Sequence, residues 1–254
     1  MTHDSKLFKS KKLFDENEVD ELLKIILETP DNLFCQRFDG MKTLGAASYL
    51  DIKNKNSAKY WHSSGSDLKT YLSMANDYNP ILRNLFSNVY QKLCNFFSSE
   101  FGVFCELHPN TAVPGFHIYE NFCQFGAQQN HIPHFDGQYQ DLMPIFHQIG
   151  SQIHDFNGKT LSFTIPISLP NTESGLKIWD LHLNQTRTED KESLKEKFLQ
   201  LKSQFIRYEE GVIVYHSGHM LHQIKSWLAE PEDKKRITLQ GHGLFENDCL
   251  FLYW

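Results

Sequence analysis

His134-Phe135-Asp136, His222 and Arg236-Ile237-Thr238, in that order along the chain, are the stretches from which the fold is read. In extended backbone, residues two apart project to one side, so His134 and Asp136 face one way and Phe135 the other. Two polar residues in a turn leading to Gly137 would look the same, so the triplet gains weight only from residues further along the chain. Glu210-Gly211-Val212-Ile213-Val214-Tyr215 reads as a strand entering a barrel, and the stretch after it carries two histidines, His219 and His222. His222 is flanked by Leu221 and Ile224, as a group entering an apolar interior would be, whereas His219 sits in a Ser-Gly turn. Both stand as candidates, with His222 preferred.

Arg236 and Thr238 are also two apart on a strand-like run. Turned inward, they leave Ile237 and Leu239 to pack on the opposite, helix-covered face, and a buried Arg requires an anionic partner. A surface Arg extending Asp233-Lys234-Lys235 is the plain alternative. Two imidazoles and one carboxylate suit one face of an iron(II) ion and leave three positions open, which directs the reading toward a metal centre. An Arg beyond the last His can then hold a carboxylate.

The 254 residues suffice for one large domain. Forty per cent apolar and 13% aromatic residues supply a core, and a net charge of -6 offers no general attraction to nucleic acid or an anionic membrane. Five cysteines (Cys35, Cys94, Cys105, Cys123 and Cys249) without CxxC spacing cannot pair completely, which points to a reducing cytoplasm. The first residues, Met1 to Lys6, lack a basic and then apolar leader, and no stretch is long and apolar enough to span a bilayer.

Asp15-Glu16-Asn17-Glu18 has the form of a capping box, and Val19, Leu22, Leu23, Ile26 and Leu27 recur at helical spacing up to Pro30. A second helix is expected to begin at Asn79-Pro80 and run through Leu82, Leu85, Phe86, Val89, Tyr90, Leu93 and Phe97 to Gly102. From Cys105 onward the texture changes to short β-branched and aromatic runs: Gly115 to Phe122, Leu161 to Leu169, Gly175 to Leu181, Gly211 to His216 and Arg236 to Gln240. Between them Leu194, Phe198 and Leu201 share a face, so an inserted surface helix is expected near 188–204. Strands late and helices early favour a β-sandwich or barrel buttressed by helices. The whole of 1–254 is read as one domain, with 1–104 mostly helical support and 105–254 the catalytic core. No GxGxxG or GxxxxGK[ST] run supplies a phosphate cradle.

His134-Phe135-Asp136, Gly175-Leu176-Lys177-Ile178, His222-Gln223-Ile224 and Arg236-Ile237-Thr238 together resemble the iron(II)- and 2-oxoglutarate-dependent dioxygenases over roughly Gly115 to Gly243. The resemblance implies a mainly β fold with α-helices: a double-stranded β-helix (jelly-roll, cupin-like) core buttressed by the N-terminal helices. It further implies that His134, Asp136 and His222 hold Fe(II), and that Arg236 and Thr238 bind the distal carboxylate of the co-substrate 2-oxoglutarate. The expected reaction is hydroxylation of a small molecule with release of succinate and carbon dioxide. Related halogenases carry a small residue where Asp136 stands, so the carboxylate favours hydroxylation.

His117 and Tyr119 alternate with Phe116 and Ile118, which turns one pair into the cavity, where the Tyr119 hydroxyl would meet 2-oxoglutarate. His131, His117, His219, Trp179 and Gln240 complete the pocket candidates, each with a structural reading beside it, and Trp179 fits the core better. His216 and His242 invite the same pair of readings. The rivals are a metal-binding cupin acting as isomerase, lyase or sensor without 2-oxoglutarate, for which an inward Arg236 has no use, and a Jumonji-type hydroxylase of a protein partner.

Overall fold

A computed structural model describes residues 7–38, 40–52, 68–120, 133–146, 160–170, 174–186, 193, 200–225, 235–246 and 248–254. The helices among them are α1 (Glu16–Glu28), α2 (Ser48–Asp51), α3 (Leu68–Leu85), α4 (Ser87–Phe101), α5 (Tyr139–Phe146) and α6 (Leu183–Thr186). The strands are β1 (Lys9–Lys12), β2 (Cys35–Phe38), β3 (Met41–Leu44), β4 (Phe104–Leu107), β5 (Gly115–Tyr119), β6 (Thr160–Ser168), β7 (Gly175–His182), β8 (Ser203–Arg207), β9 (Val212–His216), β10 (Met220–Lys225), β11 (Arg236–Glu246) and β12 (Cys249–Tyr253).

They form two sheets. The larger runs β1-β9-β6-β11-β5-β3-β2, with β12 beside β11 and β4 beside β12, and the smaller runs β10-β7-β8. This is the jelly-roll arrangement expected from the sequence, mainly strands with helices packed against them. β11 organises the larger sheet, pairing along one edge with β6 and dividing the other between β5 and β12. The sequence pattern predicts this strand over Arg236 to Gln240, and the structure carries it on to Glu246. A Cβ at Gly241 would come within 2.6 Å of the Phe163 ring, so glycine is what lets the strand continue there.

Alternation along these strands sorts polar from apolar. Ile237, Leu239, Phe116, Ile118, Phe163, Ile165, Ile213 and Tyr215 join one buried cluster with α1 and α4 residues, including Val19, Ile26, Val89, Leu93 and Phe97. The Phe97 ring packs at a tilt against Phe163, centroids 5.4 Å apart, and Phe86 likewise against Phe116 at 4.6 Å. Arg236, Thr238, His242, His117, Ser162 and His216 occupy the alternate positions. Around the metal-side residues the larger sheet therefore turns an apolar face to α1 and α4 and a polar face to the barrel interior, while at one end of that second face Met41, Tyr119, Leu244 and Tyr253 pack with α2, α3 and α5.

α1 begins as expected: Asp15 accepts from the Glu18 amide and Glu18 accepts from the Asp15 amide, at 3.0 and 2.8 Å. Gly102, at φ 67°, caps α4 in the left-handed region.

Two helix expectations require correction, and two further expectations are met only in part or fall outside the described residues. Pro80 lies inside α3, which starts at Leu68; Tyr71, Ala75 and Leu82 bury one continuous face across it, and packing of that face outweighs the hydrogen bond Pro80 cannot donate. The expected second helix is in fact divided near Phe86, whose ψ of 29° departs from helix. The first hundred residues also contain β1, β2 and β3, which add to the larger sheet as β1 pairs with β9, β3 with β5 and β2 with β3. Lys9-Ser10-Lys11-Lys12 has no strand pattern; its conformation comes from the edge of β9, and lysines on an outer strand discourage further pairing. The inserted helix falls mostly outside the described residues, and its last expected positions, Ser203 and Gln204, belong to β8.

Candidate metal centre

The segment carrying His134 attaches to the smaller sheet by a backbone bridge to His222. Asp136 N donates at 2.8 Å to Gly218 O, which places the carboxylate at the turn between β9 and β10. Each backbone contact thus joins two segments remote in sequence at the same end of the barrel. One ligand atom each from His134, Asp136 and His222 lies within 4.8 Å of the others. His222 Nε2 is 3.4 Å from Asp136 Oδ2, and His134 Nε2 is 3.8 Å from Asp136 Oδ1.

His222 Nδ1 donates at 2.9 Å to the Met220 carbonyl, so its Nε2 is left with a lone pair for a cation. Burial works against ionising Asp136, but the imidazoles of His222, His242, His134 and His216 more than offset it and hold the carboxyl far below the usual range. Burial also pushes His222 down to about 3, against the pull of Asp136. An ionised carboxylate and a neutral imidazole are the protonation states that metal binding requires. Two nitrogens and one oxygen suit iron(II), and the residues present fit such an ion. The side chains of Asp136 and His222 are 9% and 7% exposed and that of His134 is 44% exposed, so the centre opens on the His134 side.

Arg236 is fully buried at the start of β11, beside Tyr119, its register partner on β5. Its guanidinium carbon lies 5.2 Å from the Tyr119 ring centroid, a cation–π contact. Burial raises the Tyr119 hydroxyl pKa while Arg236 lowers it. Burial likewise raises Tyr208, whose hydroxyl bonds Thr164 and senses both Arg236 and Asp136. Thr238 is fully buried two positions along and accepts from Gln240 Nε2 at 3.2 Å.

The remaining candidates separate. His219 is not with the cluster: its Nε2 meets the Tyr139 hydroxyl at 2.9 Å, and its ring packs edge-on to His182 at 6.0 Å. Trp179 follows Ile178, the register partner of His222, so it faces the other side of the smaller sheet and packs with Leu181 and Leu221; the pocket assignment is corrected to core. His117 lines the barrel wall, bonded to the Tyr49 hydroxyl and 5.1 Å from the Trp254 ring. His131 lies outside the described residues. Ser162 and Gln138 were not found from sequence: Ser162 reaches Asp136 from β6, 26 residues away, and Gln138, though only two residues from Asp136, carries no motif of its own.

No protein-family model matches this chain, and no curated protein matches it. The arrangement of sheets is nevertheless the fold of the 2-oxoglutarate- and iron(II)-dependent oxygenases. A crystal structure of an N-substituted L-amino acid dioxygenase from Burkholderia ambifaria AMMD, in complex with alpha-KG, is similar over 97% of this chain and 86% of that one, with a TM-score of 0.58 and 12% identity. A second crystal structure of an N-substituted L-amino acid dioxygenase from the same organism gives 0.55 and 11%, covering 98% and 86%. The epimerase SnoN, described as non-heme and alpha-ketoglutarate-dependent and drawn from nogalamycin biosynthesis, gives 0.50 and 9%, covering 94% and 78%. At these identities the likeness is one of fold.

Proposed function

We propose that this protein is an iron(II)- and 2-oxoglutarate-dependent oxygenase that hydroxylates a small molecule, releasing succinate and carbon dioxide. The observation that carries the reading is the meeting of His134, Asp136 and His222 within 4.8 Å, at one end of a barrel whose interior also buries Arg236. Both imidazoles and the carboxylate would hold the metal. Bound iron(II) supplies the one-electron chemistry through which triplet oxygen reacts with closed-shell molecules.

The chain's own groups do the rest. Arg236 offers a planar pair of donors to the distal carboxylate of 2-oxoglutarate, and the Thr238 hydroxyl adds a further donor. Tyr119, under the guanidinium, orients it and brings a hydroxyl to the same wall. Little water competes at this depth, so the pairing with an anion is strong. Asp136 fills the place that a halide would need, which favours hydroxylation. The open His134 side is the natural approach for substrate. The net charge of -6 favours a small molecule over a polyanion.

Residues 1–254 act as one unit in this reading, supported by the pairing of β1 with β9 and β3 with β5. No described helix is long and apolar enough to cross a membrane. A cytoplasmic setting is supported by the free thiols of Cys35, Cys94, Cys105 and Cys249.

The test is anaerobic addition of iron(II) and then 2-oxoglutarate to purified protein. A visible metal-to-ligand charge-transfer band is expected. Folded protein that gives no band would favour the cupin reading without 2-oxoglutarate.

A further inference from the structure

Behind the metal centre the larger sheet presents a row of three polar side chains: His216 on β9, Ser162 on β6 and His242 on β11, in register across adjacent strands. Residues directly opposite one another on paired strands share a face. Ser162 Oγ lies 2.6 Å from Asp136 Oδ2 and 3.2 Å from His242 Nδ1. Counting hydrogens assigns the directions. An ionised carboxylate only accepts and a hydroxyl has one proton, so Ser162 donates to Asp136, and His242 Nδ1–H donates to Ser162. His242 Nδ1 is 3.9 Å from Asp136 Oδ2, beyond hydrogen-bond range, so it acts on the carboxylate through Ser162. Gln138 Nε2 meets the other carboxylate oxygen at 3.3 Å.

We propose that His242 and Ser162 form a relay that positions Asp136 for metal binding, which makes both of them positioning residues of the centre. The inference rests on the metal-site reading above. The terminal torsion of an aspartate is broad and samples many orientations when nothing holds it. A short O–H···O⁻ bond is among the strong ones and fixes the carboxylate plane. It occupies one of about four lone-pair sites and leaves the others for a cation. Because Ser162 and His242 belong to the larger sheet while His222 belongs to the smaller, the relay also sets how far Asp136 stands from the two imidazoles.

Cobalt(II), titrated into metal-free protein and followed by its d–d absorption, tests this without turnover. Ser162→Ala is expected to weaken cobalt affinity by about 10–100-fold, the range for a group that orients a ligand. Ser162→Thr, which keeps the hydroxyl, should stay within roughly threefold, a small part of that range. His242→Ala should weaken binding as well. The double variant should match Ser162→Ala within about twofold, because His242 works through Ser162 and the losses do not add. Should Ser162→Ala fail to fold, Ser162→Cys, a weaker donor of similar shape, is expected to show a reduced affinity in its place. Wild-type affinity in a folded Ser162 variant without the hydroxyl, or additive losses in the double variant, overturns the relay alone. A wild-type protein that takes up no cobalt overturns the metal-site reading and the relay with it.

Discussion

His134 and His222 face one another as an antiparallel bridge, each amide donating to the other's carbonyl, at 2.9 and 3.0 Å, with ring centroids 4.4 Å apart. The spacing of the two imidazoles is therefore set by backbone pairing. A backbone-fixed pair needs little rearrangement to accept a cation, and tight metal binding is the expected consequence.

His222→Ala is expected to weaken metal binding by more than about 100-fold, beyond the range for a residue that merely orients a ligand. His219→Ala should leave metal affinity nearly unchanged, and the loss of its bond to Tyr139 should cost about 1–2 kcal/mol of stability. Parallel cobalt(II) titrations and denaturant melts of the two variants provide the measurement. A reversed pattern would make His219 the ligand.

Arg236→Ala should lower 2-oxoglutarate affinity by about 10–100-fold, corresponding to the roughly 1.5–3 kcal/mol of a hydrogen bond to a charged group. Metal affinity should be largely preserved. Calorimetric titration of the metal-loaded protein under anaerobic conditions reads both quantities. Unchanged 2-oxoglutarate affinity would remove Arg236 from the site.

Arg37 and Asp51 form a buried, two-pronged ion pair, with Arg37 Nη2 donating at 2.9 Å, Nε donating to Thr43 Oγ1 at 2.8 Å, and Asp51 also accepting from the Ala47 amide. This pins α2, and with it Tyr49, against β3. Asp51→Ala strands a buried guanidinium and should cost about 3–5 kcal/mol in urea unfolding. Replacing both partners with apolar residues should cost much less. Equal losses in the two variants would contradict the assignment.

Burial pushes the His108 imidazole down to about 4, where it lies between the rings of Phe146 and Phe251. Between about 6.5, the value for an unfolded chain, and about 4, the unfolded chain binds the proton and the folded one does not. Stability therefore falls as pH falls through that window and levels off below it, by at most about 3 kcal/mol from this residue. Burial also lowers His216, His222 and His242, so the wild-type slope contains their contributions. His108→Phe should flatten the curve by its own share. Urea melts across pH 4–7 compare the two proteins, and parallel curves would refute the assignment.

Much of the frame was legible in local pattern. The capping box at Asp15, the apolar repeat of α1 and the helix end at Gly102 each depend on neighbours within one or two turns, and all stand in the structure. The inward Arg236 and Thr238 with outward Ile237 and Leu239 follow from a period of two. Less legible were α3, where Pro80 read as a beginning although Tyr71, Ala75 and Leu82 continue through it, and β1, whose lysines carry no strand signal.

The sequence by itself determined which chemical groups this chain can bring to a site, and on which side of each strand or helix they stand, because those properties repeat over a few residues. Tertiary structure decided which groups meet. His222 rather than His219 joins His134 and Asp136, and Ser162 lies between Asp136 and His242, through strand registers that link segments far apart in the chain. The physical reason is that register follows from the packing of both faces of the larger sheet together, its apolar side against α1 and α4 and its polar side around the barrel interior, and a one-residue slip would exchange the two.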